Sequence, residues 1–243
     1  MNPADSIALV TGANKGLGKE IARQLGAQGV FVLLGARDRE RGERAEADLK
    51  AQGCKAQYIP LDVTDQQSVA HAASQIENQF GRLDILVNNA GIALDWFPPS
   101  QLDVETFQKT YETNVFAVFR VTKAMLPLLK KSRAGRIVNM SSGLGSLTLH
   151  ADPNGPFKDA NWLLAYCSSK SALNAMTIAF AKELRSTGIK VNSANPGYTA
   201  TDMNQNRGPK TVEQGARTPV RLALLPDDGP TGGNFSDEGV APW

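Results

Sequence analysis

One alternation runs the length of this chain: a short apolar run, a turn, then a longer stretch with helical spacing. The apolar runs are SIALVTG (6–12), VFVLLGA (30–36), AQYIPLDV (56–63), LDILVNNAG (83–91), GRIVNMSS (135–142) and IKVNSANPG (189–197). Several are apolar throughout, the pattern of parallel strands covered on both faces. Helical patterns lie between them near 16–28, 38–52, 65–80, 103–132, 163–187 and 211–225. A weaker last strand is expected in GGNFSD (232–237). Such a succession predicts an α/β fold, a doubly wound parallel sheet of about seven strands. Right-handed crossovers place its helices on both faces.

At 243 residues the chain suits one domain, 1–243, with a core on each side of the sheet. No linker, repeat or low-complexity segment divides it. The stretch 143–161 is the one region without a clear period. The formal net charge is +2, and no run of five or six like charges occurs, so neither a nucleic-acid arm nor an acidic tail is expected. RDRERGERAEADLK (37–50) is dense in charge of both signs, as on a solvated helix face. The two cysteines, Cys54 and Cys167, make a disulfide framework unexpected and point to a reducing, cytoplasmic setting. MNPADS has neither the basic nor the apolar region of a signal peptide. No stretch of eighteen apolar residues is present, so no membrane span is expected. The histidines, His71 and His150, stand far apart, and no metal site is expected.

The first turn carries Gly12, Gly16 and Gly18, with Lys15 among them. In a Rossmann-type sheet, ligands sit at the carboxyl ends of the strands where the strand order reverses. Glycines there let the backbone approach a pyrophosphate, and the following helix points free N–H groups at it. The spacing Gly12-x-x-x-Gly16-x-Gly18 is wider than the common dinucleotide fingerprint, and the alternative is a tight turn without a ligand. Where an NAD binder often has an acid for the ribose 2′-hydroxyl, this chain has Arg37. Lys15 and Arg37 together suit a 2′-phosphate, hence NADP(H). Asp38, the next residue, is read as the cap of the following helix.

Tyr166 and Lys170 stand four apart in a helical stretch, on one face. A neighbouring ammonium favours phenolate, which would bring a tyrosine with an ordinary pKa near 10 closer to neutrality. Alone this pair is a weak signal. However, RIVNMSS delivers Ser141 and Ser142 to a strand's carboxyl end, DILVNNAG delivers amides, and NPGYTAT delivers Pro196 and Gly197. Asn114 sits in an otherwise apolar helix, where a buried amide needs partners.

These pieces together resemble the short-chain dehydrogenase/reductase family. The matching segments are TGANKGLG (11–18), Asp62-Val63, NNAG (88–91), Asn114, NMSS (139–142), Tyr166-x-x-x-Lys170 and Pro196-Gly197, in family order across nearly the whole chain. The resemblance implies an NADP(H)-dependent oxidoreductase acting on a small carbonyl compound. By it, Ser142 is the catalytic serine, Tyr166 the proton donor and Lys170 the residue that binds the nicotinamide ribose and lowers the tyrosine pKa. Asn114 holds a water in a proton relay. The cofactor lies along Gly12, Asn14, Lys15, Gly16, Leu17, Gly18 and Arg37 and reaches Tyr166 and Lys170. Asp62 and Val63 touch the adenine. Asn89, Ala90 and Gly91 line the cleft, and Pro196, Gly197, Tyr198, Thr199 and Thr201 cradle the nicotinamide end.

Ser142 and Tyr166 are 24 residues apart, wider than is common in the family. The spacing, the TGANKG start and GAR resemble the carbonyl reductase branch, where an insertion beside the substrate cleft also covers a helix face used elsewhere for oligomers. This implies an insertion near 145–162 and a monomer, with a homo-oligomer as the alternative. Trp96, Trp162 and Tyr198 are substrate-wall candidates, although Trp96 and Phe97 could equally pack their own loop down. Two other functions remain open: an NAD(H)-linked alcohol dehydrogenase, and a silent NADP(H) sensor.

Overall fold

The computed structural model describes residues 2–243. Eight strands form one sheet: β1 (Ile7–Thr11), β2 (Phe31–Ala36), β3 (Ala56–Pro60), β4 (Ile85–Asn88), β5 (Arg136–Met140), β6 (Lys190–Ala194), β7 (Asn234–Ser236) and β8 (Gly239–Val240). Their order is β3-β2-β1-β4-β5-β6-β7-β8. All pairs are parallel except β7 with β8, a hairpin. The expected seven become eight because the chain turns back on itself after β7. Eight α-helices accompany the sheet: α1 (Gly16–Ala27), α2 (Arg39–Ala51), α3 (Gln66–Phe80), α4 (Val104–Tyr111), α5 (Ala117–Leu129), α6 (Leu147–Ala151), α7 (Leu164–Glu183) and α8 (Val212–Ala223).

The continuous apolar runs are explained by two cores. Along β1, Ala8 and Val10 enter one cluster with Ile21 and Leu25 of α1 and Leu222 of α8. Ile7 and Leu9 enter the other, with Ile76 of α3, Val121 and Met125 of α5, and Phe180 of α7. Burying each such side chain is worth about 1.5–3 kcal/mol. The second face also carries a buried polar ladder. Asn88 donates to Thr122 Oγ1 (3.0 Å) and Asn139 Oδ1 (2.8 Å). Asn139 donates to Thr177 Oγ1 (2.8 Å), which also receives the Ser193 hydroxyl (2.9 Å). The ladder ties α5 and α7 to the sheet beneath its carboxyl edge.

Two expected elements differ. The helix expected over 103–132 is interrupted by a π-helical turn, Glu112–Phe116, between α4 and α5. The stretch without a period contains a 3₁₀ turn, Gly143–Gly145, and the short helix α6. Asp38 caps α2 as read from sequence, accepting from Arg41 N at 3.0 Å. Apart from α5, which continues the π-helical turn, the helices without a cap from their own N-cap residue are α1 at Lys15 and α7 at Leu163, and both begin at the site described next.

Candidate active site

The sheet order reverses between β1 and β4, and the glycine loop leaves β1 there. Gly12 and Gly16 have φ of +65° and +53°, the left-handed region. Gly18 is held tightly: a Cβ would lie 2.4 Å from Asn89 Nδ2. Gly16 is open, with nothing within 4 Å of its Cβ position. An uncapped twelve-residue helix behind an open glycine fits the phosphates of a dinucleotide. Thr11 fastens the loop's floor. Its hydroxyl accepts from Asn89 N (2.9 Å) and Ala90 N (3.0 Å), while Asn89 Nδ2 donates to Thr11 O (2.7 Å). Asn14 and Leu17 are half-buried on this loop.

Lys15 and Arg37 are both exposed at the ends of neighbouring strands. Lys15 is not free: its ammonium pairs with Asp202 at 2.6 Å. Asp62 accepts from Thr64 N (2.9 Å) and Thr64 Oγ1 (2.6 Å). Burial opposes its ionisation, but the Thr64 bonds and the Arg37 charge leave its pKa below the usual value. The Val63 carbonyl accepts from Arg120 (2.9 Å).

Across the same edge, β5 ends at the two serines. Ser141 is buried and donates to Asn174 Oδ1 at 2.7 Å. Ser142 is half-buried, its hydroxyl accepts from Leu144 N at 3.2 Å, and it lies near enough to Tyr166 to favour the phenolate. Lys170 is 5% exposed; its ammonium donates to Met140 O at 2.7 Å and stands 5.5 Å from the Tyr166 ring centre. Serine, tyrosine and lysine are thus brought to one edge of the sheet.

Their electrostatics differ from the expectation. Burial pushes the Tyr166 phenol up to about 12, against the influence of Ser142, and the neighbouring Cys167 adds to the rise. Burial also draws the Lys170 ammonium down to about 8. Lowering of the tyrosine by Lys170 is thus not what the free protein has. Withdrawal from water dominates, because a phenolate is costly in a low dielectric.

Asn114 sits in the π-turn and is fully buried. Its amide clasps Ile92, accepting from Ile92 N and donating to Ile92 O, each at 2.9 Å, and donates to Ser169 Oγ at 3.0 Å. π-turns inside helices occur often at functional sites. Here the turn aims the amide at the loop after β4. Gly91 is close by: a Cβ there would stand 3.3 Å from Asn114 Oδ1 and 3.6 Å from Lys170 Nζ.

Trp96 and Trp162 stack with centroids 6.1 Å apart, joining the β4 loop to the end of the insertion. Tyr198 is 52% exposed, whereas Thr199 is 5% exposed and donates to Pro196 O at 3.1 Å. Gly197 has φ of +72° and its N–H donates to Asn195 Oδ1 at 2.9 Å. Thr201 caps the turn Asp202–Asn204.

Four residues at the site were given no role by the sequence, Thr11 although it opens the TGANKGLG segment. Thr11 fastens the loop floor and Ser169 receives Asn114. Asp202 holds Lys15. Asp95 is 1% exposed, accepts from Ala165 N at 2.6 Å, and keeps its second carboxylate oxygen without a partner. A polar residue closing an apolar strand was the available signal for Thr11. Asp95 and Asp202 lie in loops, where no period marks them. Among the described residues, no group of three or more His, Cys, Asp or Glu could hold a metal ion, and no helix is long and apolar enough to cross a membrane.

With this geometry in place, known proteins can be compared. The model of the short chain dehydrogenase family matches residues 6–211, and the chain belongs to that family. It is 35% identical to a (+)-neomenthol dehydrogenase of Arabidopsis thaliana, over 96% of this chain and 97% of that protein. It is 34% identical to the NADPH carbonyl reductase 3 of Mus musculus, over the full length of both. Among solved structures, NADPH-bound carbonyl reductase from chicken fatty liver superposes with a TM-score of 0.84 at 29% identity, over 98% of this chain and 99% of that one.

Proposed function

We propose that this chain reduces a carbonyl group of a small molecule to an alcohol with NADPH. The observation that carries this reading is Tyr166 standing over the buried Lys170 ammonium, 5.5 Å from its ring centre, beside Ser142 at the end of β5, on the edge where the glycine loop opens. The names of the carbonyl reductase relatives support it. When bound along that loop, NADPH supplies the hydride. The chain's own residues do the remaining work.

A carbonyl oxygen beside Ser142 and Tyr166 receives both hydroxyls as donors. As negative charge grows on that oxygen, donors already in place are worth a few kcal/mol of barrier. Tyr166, pushed up to about 12, stays protonated at neutral pH and has a proton to give. A nascent alkoxide is basic enough to take it, and the Lys170 ammonium stabilises the phenolate left behind. Asn114 also has a positioning part: its amide N–H groups are spent on Ile92 and Ser169, so a relay water there would be held by donating to an Asn114 oxygen. The stacked tryptophans Trp96 and Trp162 and exposed Tyr198 wall the substrate space.

The test is NADPH oxidation by purified protein across aldehydes, ketones and quinones. Turnover with at least one class is expected, and cofactor binding without any turnover would refute the reading. One observation favours a second reading, an NAD(H)-linked alcohol dehydrogenase: Lys15 is already neutralised by Asp202. Comparing the Kd of NADPH with that of NADH decides between them. The notable exposed apolar pair for an association of chains is Phe116 and Phe119, 55% and 47% exposed, against the monomer read from the insertion. Light scattering of the purified protein settles that point.

A further inference from the structure

Lys15 and Arg37 stand at the same end of the cleft but in different states. Arg37 makes no hydrogen bond or ion pair among the described residues, and its charge acts on Asp62. The Lys15 ammonium is held by Asp202 at 2.6 Å, with side chains 55% and 68% exposed. The Lys15 hydrogen bond and charge keep the Asp202 carboxyl below its usual range, and Arg41 adds to this.

Asp202 rides on a braced arm. The root is the buried Thr199, whose carbonyl accepts from Asn204 Nδ2 at 2.8 Å. Further out, Thr201 N donates to Asn204 Oδ1 at 3.1 Å. The arm leaves β6, yet its carboxylate reaches the glycine loop after β1, 187 residues away in sequence.

We propose that Asp202 is a specificity-determining residue for the cofactor: in the free protein its carboxylate holds Lys15 and competes with a 2′-phosphate for it. This rests on the NADPH reading above. A phosphate monoester brings close to two charges and three acceptor oxygens, where the carboxylate brings one charge and two oxygens. An exposed carboxylate–ammonium pair is weak, so the phosphate displaces it. NADH carries no 2′-phosphate and gains nothing by displacing it. Asp202 therefore weakens the phosphorylated cofactor and leaves the other alone, narrowing the preference that Lys15 and Arg37 create.

The experiment is calorimetry on the full chain with adenosine 2′,5′-bisphosphate and with 5′-AMP, which differ only in the 2′-phosphate. Asp202→Asn should tighten the bisphosphate about two- to fivefold, the range an exposed pair allows. It should leave 5′-AMP unchanged. With Lys15→Ala in place, Asp202→Asn should no longer change the affinity for either nucleotide. Unchanged or weaker bisphosphate binding in Asp202→Asn, or equal tightening of both nucleotides, overturns the proposal. Equal affinity of the unaltered protein for the two nucleotides overturns the 2′-phosphate reading itself, and the competition with it.

Discussion

The carboxylate of Asp95 accepts the Ala165 N–H at 2.6 Å, one residue before the tyrosine that stands near Ser142. The Asp95 carbonyl also accepts from Leu163 N at 2.9 Å. Leu163 has φ of +60° and cannot cap the helix itself. A loop from β4 thereby fixes the first turn of α7, and with it the height of Tyr166 above the sheet.

Asp95→Ala should therefore lower kcat for carbonyl reduction more than it raises KM. A displacement of about 1 Å at the reacting groups costs up to about a hundredfold in rate. Loss of the cap should also cost about 1–2 kcal/mol of stability. Asp95→Asn keeps an acceptor oxygen and should recover most of the rate. Steady-state kinetics and chemical denaturation check both. A kcat untouched in Asp95→Ala would leave the contact a structural detail only.

Tyr166→Phe removes the proton and keeps the ring. Its kcat should fall by at least about a hundredfold, the usual contribution of a positioned acid. The Kd for NADPH should stay within about twofold, because nothing in the glycine loop changes. Fluorescence titration measures the second quantity independently of turnover. Activity within a few-fold of the unaltered protein would show that another group donates the proton.

What the sequence made legible follows from how each residue is constrained. Gly12, Gly16 and Gly18, the Tyr166–Lys170 pair and Ser142 were readable because a strand end or a helical turn fixes their spacing. The apolar runs announced their strands because both faces of the sheet are covered. Asp95 and Asp202 act from irregular loops across long sequence separations, and no local pattern encodes such contacts. The π-turn at Glu112–Phe116 is hidden for another reason: it lies inside a continuous helical run, with no glycine or proline to mark it. The direction of the Tyr166 shift depends on burial, which only the assembled edge supplies.

The glycine loop separates folding from binding. At Gly18 a methyl group would meet Asn89 Nδ2 at 2.4 Å and Gly12 O at 2.5 Å. Gly18→Ala should therefore destabilise the fold by about 1–3 kcal/mol, the cost of overpacking. Gly16 has room, so Gly16→Ala should cost about 1–2 kcal/mol through its left-handed φ. Its methyl group would then stand where a pyrophosphate approaches. Thermal melts with and without NADPH check this. The apo Tm should fall in both variants, and the stabilisation by NADPH should shrink most in Gly16→Ala. Equal NADPH stabilisation of Gly16→Ala and the unaltered protein would place the phosphates elsewhere.

Lys170 gives the site its pH dependence. Burial lowers its ammonium from 10.5 to about 8, so the free protein holds the cation below about pH 8 and loses it above. An anionic cofactor binds the charged form better, so NADPH affinity should fall as pH rises through about 8. The linkage for stability has its own sign. Between about 8 and 10.5 the unfolded chain binds this proton and the folded chain does not, so Lys170 by itself makes folding more favourable as pH rises through that window. Tyr166 acts oppositely above 10, where the unfolded phenol ionises and the folded one, near 12, does not. Reduction itself should show no tyrosine limb between pH 6 and about 9, because Tyr166 keeps its proton throughout. Lys170→Met should abolish the step in NADPH affinity near pH 8 and lower it to the high-pH level at every pH. A step that persists in Lys170→Met would assign the titration to another group at the site.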